Sequence, residues 1–173
     1  SDLLWDPIDS LQFLEEELSA GVRCIEHGQL ADEETVRMMA GEGVWWSLQP
    51  FLGDADANPK ADPAQRAQQA MIAEGTARAY ELALKHGVRT AFGTDVLMNP
   101  AGPATQGRQL AKLARFMDPL EALRTATGSA GELLALSGPR APYERPIGVI
   151  APGALADLLV VDGDPARDLR FLV

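Results

Sequence analysis

Gly87-Val88-Arg89-Thr90-Ala91-Phe92-Gly93-Thr94-Asp95 decides the fold. A glycine that ends a helix leads into a short β-prone run, residues 88–94, which closes on a polar Gly-Thr-Asp corner. Before it, residues 64–86 form one long helical stretch. The same layout occurs upstream. Residues 9–20 carry Leu11, Leu14 and Leu18 at helical spacing and stop at Gly21, after which residues 22–27 form a strand ending in Glu26-His27-Gly28. Asp32 is then an N-cap, with Glu33 and Glu34 in the first turn where the helix dipole favours anions. Gly41 and Gly43 close that helix, and residues 44–48 form another strand, closed by Pro50. Residues 51–63 and 99–107 are loops rich in Asp, Asn, Gly and Pro.

Strands and helices alternating at this spacing imply parallel strands joined by right-handed crossovers, hence an α/β fold. Farther on, residues 109–116 predict a short helix. Asp118-Pro119-Leu120-Glu121 and Ser129-Ala130-Gly131-Glu132 are two capping signatures, each predicting a helix start. The last part changes character: residues 138–146 hold Pro139, Pro142 and Pro146, and residues 148–161 form two apolar runs about a turn at Ile150-Ala151-Pro152-Gly153, a hairpin-like β element. The division is therefore residues 1–137, the α/β part, and residues 138–173, a β segment. The α/β part holds about three βα units, where a closed (β/α)8 barrel needs eight and ~250 residues.

Composition sets the partners. In 173 residues, 46% are apolar and 23% charged, enough for a folded core. A net charge of -10 repels phosphate backbones and anionic membrane surfaces, so neither nucleic acid nor membrane is an expected partner. The one cysteine, Cys24, forms no internal disulfide, and no Cys/His cluster builds a structural zinc site. With no basic and apolar leader pattern, the chain is expected in the cytoplasm.

His27 and Asp95 each stand at the carboxyl end of a strand, where α/β folds place their ligands. Gly28 leaves room beside the imidazole. An aspartate between Gly93-Thr94 and apolar Val96-Leu97 needs a partner: it either caps its loop or serves as a metal ligand or general base. Imidazole and carboxylate at one end of a parallel sheet favour the metal reading, because both ligate zinc. His86, beside Lys85 at a helix end, suits the helix dipole instead. If side chains alternate along the first strand, His27, Ile25 and Arg23 share one face, with Cys24 in the core on the other. Trp45 and Trp46 point to opposite sides of their strand, so one packs on helices while the other either lines the site or, as the commoner case, also joins the core. Arg23 and Arg89 belong at the opposite, closed end. Trp46, Gln49 and Met98 are further pocket-lining candidates.

The blocks at residues 21–28 (Gly-Val-Arg-Cys-Ile-Glu-His-Gly), 92–95 (Phe-Gly-Thr-Asp), 126–130 (Ala-Thr-Gly-Ser-Ala) and 148–165, in this order, resemble the amidohydrolase superfamily, nearest its imidazolonepropionase-like and prolidase-like branch. The resemblance implies a zinc-dependent hydrolase, or one using another divalent metal, that cleaves C–N bonds in a small-molecule amide, cyclic amide or dipeptide substrate. Its fold is a (β/α)8 TIM-type barrel with a small β-sandwich made from both chain ends. His27 matches the histidine after strand six, which ligates the second metal or touches substrate. Asp95 matches the aspartate after strand eight, a metal ligand and the catalytic acceptor of the attacking water's proton. Residues 148–165 match the return into the β-sandwich.

The departures are as informative. The family's His-x-His after strand one, its bridging lysine or glutamate and its strand-five histidine have no counterpart, and this chain holds two histidines in all. The resemblance thus predicts a C-terminal portion, a partial barrel, inactive alone, whose expected partner is the missing N-terminal half or a second copy. The alternative is a noncatalytic half-barrel scaffold or self-associating binding module.

Overall fold

A computed structural model of the protein describes residues 16, 18–54, 56–57, 60–96 and 102–173. The predicted first helix lies mostly outside these residues, but its end is visible: the Ala20 N–H donates to Glu16 O at 2.9 Å and Gly21 adopts φ 83°. Two compact units divide the chain, Ser1–Arg89 and Thr90–Val173.

The first unit contains β1 (Cys24–Glu26), α1 (Glu33–Glu42), β2 (Trp45–Leu48) and α2 (Pro63–His86). β1 and β2 pair in parallel with Cys24 opposite Trp45 and Glu26 opposite Ser47. Successive N–H groups of β2 point to opposite sides, Trp45 donating to Arg23 O at 3.0 Å and Trp46 to Arg89 O at 2.9 Å. β2 is thus hydrogen-bonded along both edges. Its burial follows: Trp45, Trp46 and Leu48 are buried, together with Ile25, Val36, Met39, Tyr80 and Leu82. Each such side chain contributes about 1.5–3 kcal/mol on leaving water.

The helix ends follow the sequence. Asp32 accepts from the Thr35 N–H at 2.8 Å, Asp62 caps α2 ahead of Pro63, and Gly43 and Gly87 end their helices in the left-handed conformation. A single carboxylate joins α1 to α2: Glu33 Oε1 accepts from Lys85 Nζ at 2.7 Å and His86 Nε2 at 2.9 Å, besides Arg37 at 3.2 Å. His86 is a structural contact, as its position at a helix end predicts. At the amino end of β2, the Arg89 guanidinium lies 4.5 Å over the Trp45 ring and donates to Gly43 O at 2.8 Å.

The second unit holds β3 (Thr90–Phe92), α3 (Gln106–Ala111), α4 (Pro119–Arg124) and α5 (Ala130–Ala135), with 3-10 turns at Gly102–Thr105, Lys112–Arg115, Gly138–Arg140 and Leu169–Leu172. The helix expected at 109–116 begins earlier, at Gln106, and tightens into a 3-10 turn after Ala111. The Leu169–Leu172 turn sits against Gly107, so closely that a β-carbon there would overlap Leu172 O.

Two expectations are corrected. Asp118 caps α4 through the Leu120 and Glu121 N–H groups, both at 3.0 Å, whereas Ser129, directly ahead of α5, makes no side-chain cap. Its φ is −63°, and a π-helical turn, Thr125–Ser129, carries α4 straight into α5. Thr125 and Thr127 hydroxyls donate to Glu121 O and Leu123 O, occupying carbonyls of the preceding turn where the wide turn forms. The hairpin at 148–161 is also absent. Its turn exists, with the Ala154 N–H donating to Ala151 O, but among the described residues its arms form no ladder. Leu158, Leu159 and Val160 are 72%, 85% and 100% exposed. Apart from the Leu155 N–H, which donates to Pro146 O at 2.9 Å, apolar arms without a neighbouring strand have no ladder to satisfy their backbone.

Candidate functional site

β1 ends at Glu26, and His27 turns out of it with φ 66°. The alternation that groups His27 with Ile25 therefore stops one residue short: Ile25 is buried and His27 exposed. Left-handed backbone is costly for a residue bearing a β-carbon and persists where the surroundings hold it. Here they do so at three points. The His27 N–H donates to Ser47 O at 3.1 Å, its carbonyl accepts from the Trp46 indole Nε1 at 2.6 Å, and its Nδ1 lies 2.7 Å from Gln49 Oε1. The imidazole also stacks on Phe51, with ring centroids 6.2 Å apart and planes 18° from parallel.

Gln49 is the hub of these contacts. It is buried, and its Oε1 also accepts from Gln29 Nε2 at 3.2 Å while its own Nε2 donates to Ser47 O at 3.3 Å. Trp45 and Trp46 are both buried, so neither lines an open pocket; Trp46 acts through its hydrogen bond to the His27 backbone. Tyr80 supports the same strand end by donating to Leu48 O at 3.2 Å, and burial pushes its phenol up. Burial, with Glu26 nearby, raises the Cys24 thiol to about 11, which keeps it protonated, but the residue is half-buried rather than in the expected core.

Asp95 belongs to the second unit. It follows β3 by way of Gly93 and Thr94, is exposed, and has φ 49°. Met98 lies outside the described residues. The second unit also holds a cavity of about 370 Å³, lined by Glu132, Leu134, Tyr143, Pro146 and Ile147 among others, which contains no candidate residue.

A catalytic zinc takes three protein ligands and a water. His27 and Asp95 are donors of the right kind, yet among the described residues no three His, Cys, Asp or Glu side chains gather to hold a metal ion. The described residues thus do not complete a donor set. No helix among them is long and apolar enough to cross a membrane.

A parallel strand pair with a crossover helix, and candidate side chains just beyond strand carboxyl ends, define an α/β protein that places its ligands there. The sequence matches the amidohydrolase family over residues 9–173, and the chain belongs to that family, hydrolases acting on carbon–nitrogen bonds and generally metal-dependent. It is 30% identical over 158 residues to ochratoxinase of Aspergillus niger, covering 88% of this chain and 31% of that protein. A solved prolidase in complex with N-methylphosphonate-L-proline is 32% identical, with a TM-score of 0.78, covering 93% of this chain and 38% of its own. A Xaa-Pro dipeptidase with methionine bound in its active site is 26% identical, with a TM-score of 0.76, over 94% and 39%. The chain thus spans under two fifths of the length of each.

Proposed function

We infer that this chain is the C-terminal part of a metal-dependent amidohydrolase that cleaves a carbon–nitrogen bond in a small amide, cyclic amide or dipeptide through a metal-activated water. Residues 1–137 supply the closing βα units of a (β/α)8 barrel, and residues 138–173 the β segment of a composite small domain. His27 is a metal ligand or substrate contact. Asp95 is a metal ligand whose carboxylate accepts the attacking water's proton and passes it to the leaving nitrogen. The metal is zinc or another divalent ion, and the remaining donors come from outside this chain.

The observation that carries this reading is the conformation of His27 and Asp95. Both residues that match the family's motif stand just beyond a strand with left-handed backbone, the kind of strain that gathers at functional sites. A prolidase and a Xaa-Pro dipeptidase among the relatives support a dipeptide as substrate class. The exposed run at Leu158, Leu159 and Val160 supports a missing neighbour, whether the N-terminal half or a second copy. The hydrolase relatives do not favour a noncatalytic scaffold.

Metal analysis with an activity screen tests the proposal. The purified chain is expected to hold well under one equivalent of zinc after dialysis and to leave Xaa-Pro dipeptides intact. Tightly bound stoichiometric zinc with turnover by this chain alone would overturn it.

A further inference from the structure

We propose that Gln49 is a positioning residue that fixes which nitrogen of His27 carries the proton. The argument starts from a backbone carbonyl, which can only accept. Ser47 O lies 3.3 Å from one end of the Gln49 amide, so that end must be the NH2 group. The opposite end is then the amide oxygen, and it stands 2.7 Å from His27 Nδ1. An oxygen acceptor at that distance requires a proton on Nδ1. A neutral imidazole has one ring proton, so its lone pair is on Nε2. The reversed amide would face Ser47 O with its own oxygen and Nδ1 with a donor, losing one hydrogen bond outright.

The amide has little freedom to turn. Gln49 is 3% exposed and Gln29 6%, and Gln29 Nε2 donates to the same Gln49 oxygen, which makes that oxygen a double acceptor. Ser47 O in turn receives the His27 N–H, so the carbonyl that orients Gln49 also holds the His27 backbone. Phe51, stacked on the ring, limits its rotation. One short segment, residues 46–51, thus contacts both the backbone and the ring of His27. The result is a neutral imidazole whose lone pair is on Nε2, the form in which that nitrogen can ligate a metal ion or accept a proton. Its use in hydrolysis rests on the proposed function; the tautomer itself does not.

The test reads the tautomer directly. Long-range ¹H–¹⁵N correlation at alkaline pH distinguishes a pyrrole-like from a pyridine-like ring nitrogen. The protein has two imidazoles, and a His86→Gln variant assigns them. The wild-type protein is expected to show His27 with pyrrole-like Nδ1 and pyridine-like Nε2. Gln49→Leu is expected to shift the ring toward the Nε2–H form that free histidine favours, and Gln49→Glu, which keeps an acceptor, to retain the wild-type pattern. A wild-type spectrum with pyrrole-like Nε2 overturns the proposal, whether or not the leucine variant folds, and so does a folded Gln49→Leu protein with an unchanged tautomer. In a protein with the barrel completed, Gln49→Leu should lower kcat about 10–100-fold with little change in KM. A correct tautomer without any hydrolysis would count against the hydrolase reading and leave the positioning role standing.

Discussion

His27 and Asp95 share a backbone conformation that no other non-glycine residue among the described ones adopts, with φ 66° and 49°. Each is also the motif residue just beyond the end of its strand. A β-carbon in this region costs roughly 1–2 kcal/mol, so the side chains occupy positions where glycine is the comfortable residue. His27→Gly and His27→Ala both remove the imidazole, and they differ only in that strain. The glycine variant should be more stable than the alanine variant by about 1 kcal/mol, and the same order should hold for Asp95→Gly against Asp95→Ala. Chemical denaturation measures both pairs; equal stabilities would mean the left-handed conformation is absent in solution.

The adjacent tryptophans separate packing from positioning. Trp46 donates to His27 O at 2.6 Å, whereas the buried Trp45 Nε1 has no hydrogen-bond partner. Both phenylalanine substitutions lose ring volume, but only Trp46→Phe also orphans a carbonyl, which costs a further ~1–3 kcal/mol. Trp46→Phe should therefore be the more destabilising, and it should broaden or shift the His27 ring signals that Trp45→Phe leaves in place.

Gly75 reverses a general rule. Alanine in place of a helical glycine normally stabilises by about 1 kcal/mol. A β-carbon at position 75, however, would lie 2.6 Å from Gln29 O and as close to the Leu30 side chain. Gly75→Ala should push α2 off the loop that carries Gln29 and destabilise by about 1–3 kcal/mol despite its helix propensity. A rise in thermal midpoint would contradict that packing.

The Glu33 clamp predicts a pH dependence. Hydrogen bonds from Lys85 and His86 hold its carboxyl down at about 2, from an ordinary value of 4.5. A depressed folded-state value stabilises the fold above pH 4.5, and that contribution fades as pH falls toward 2. The stability gap between wild type and Glu33→Gln should therefore be largest near neutrality and shrink through this window. It should also shrink with added salt, because the cluster is on the surface. A gap that stays constant with pH would exclude the clamp.

Much of the frame was legible because it is written locally. Asp32, Asp118, Gly43 and Gly87 act where their side chains, or lack of one, meet the helix ends, and the parallel pairing of the first two strands follows from the helix between them. What depends on contacts far along the chain was not. The left-handed turn of His27 is enforced by Ser47, Trp46 and Gln49 from the next strand, and no alternation rule within β1 anticipates it. Gln49 looked like one of several pocket residues, because its role lies in an amide orientation set by a backbone carbonyl. The hairpin failed for a related reason: alternating apolar runs report a wish for a neighbouring strand without saying which chain segment provides it.

The most direct test of the account uses this chain joined behind the amino-terminal barrel strands of its prolidase relative, assayed on Xaa-Pro dipeptides with metal content measured in parallel. The account predicts turnover in the joined protein and none in the chain alone, with Asp95→Asn lowering kcat by about 10²–10⁴-fold. Hydrolysis undiminished by Asp95→Asn would contradict it.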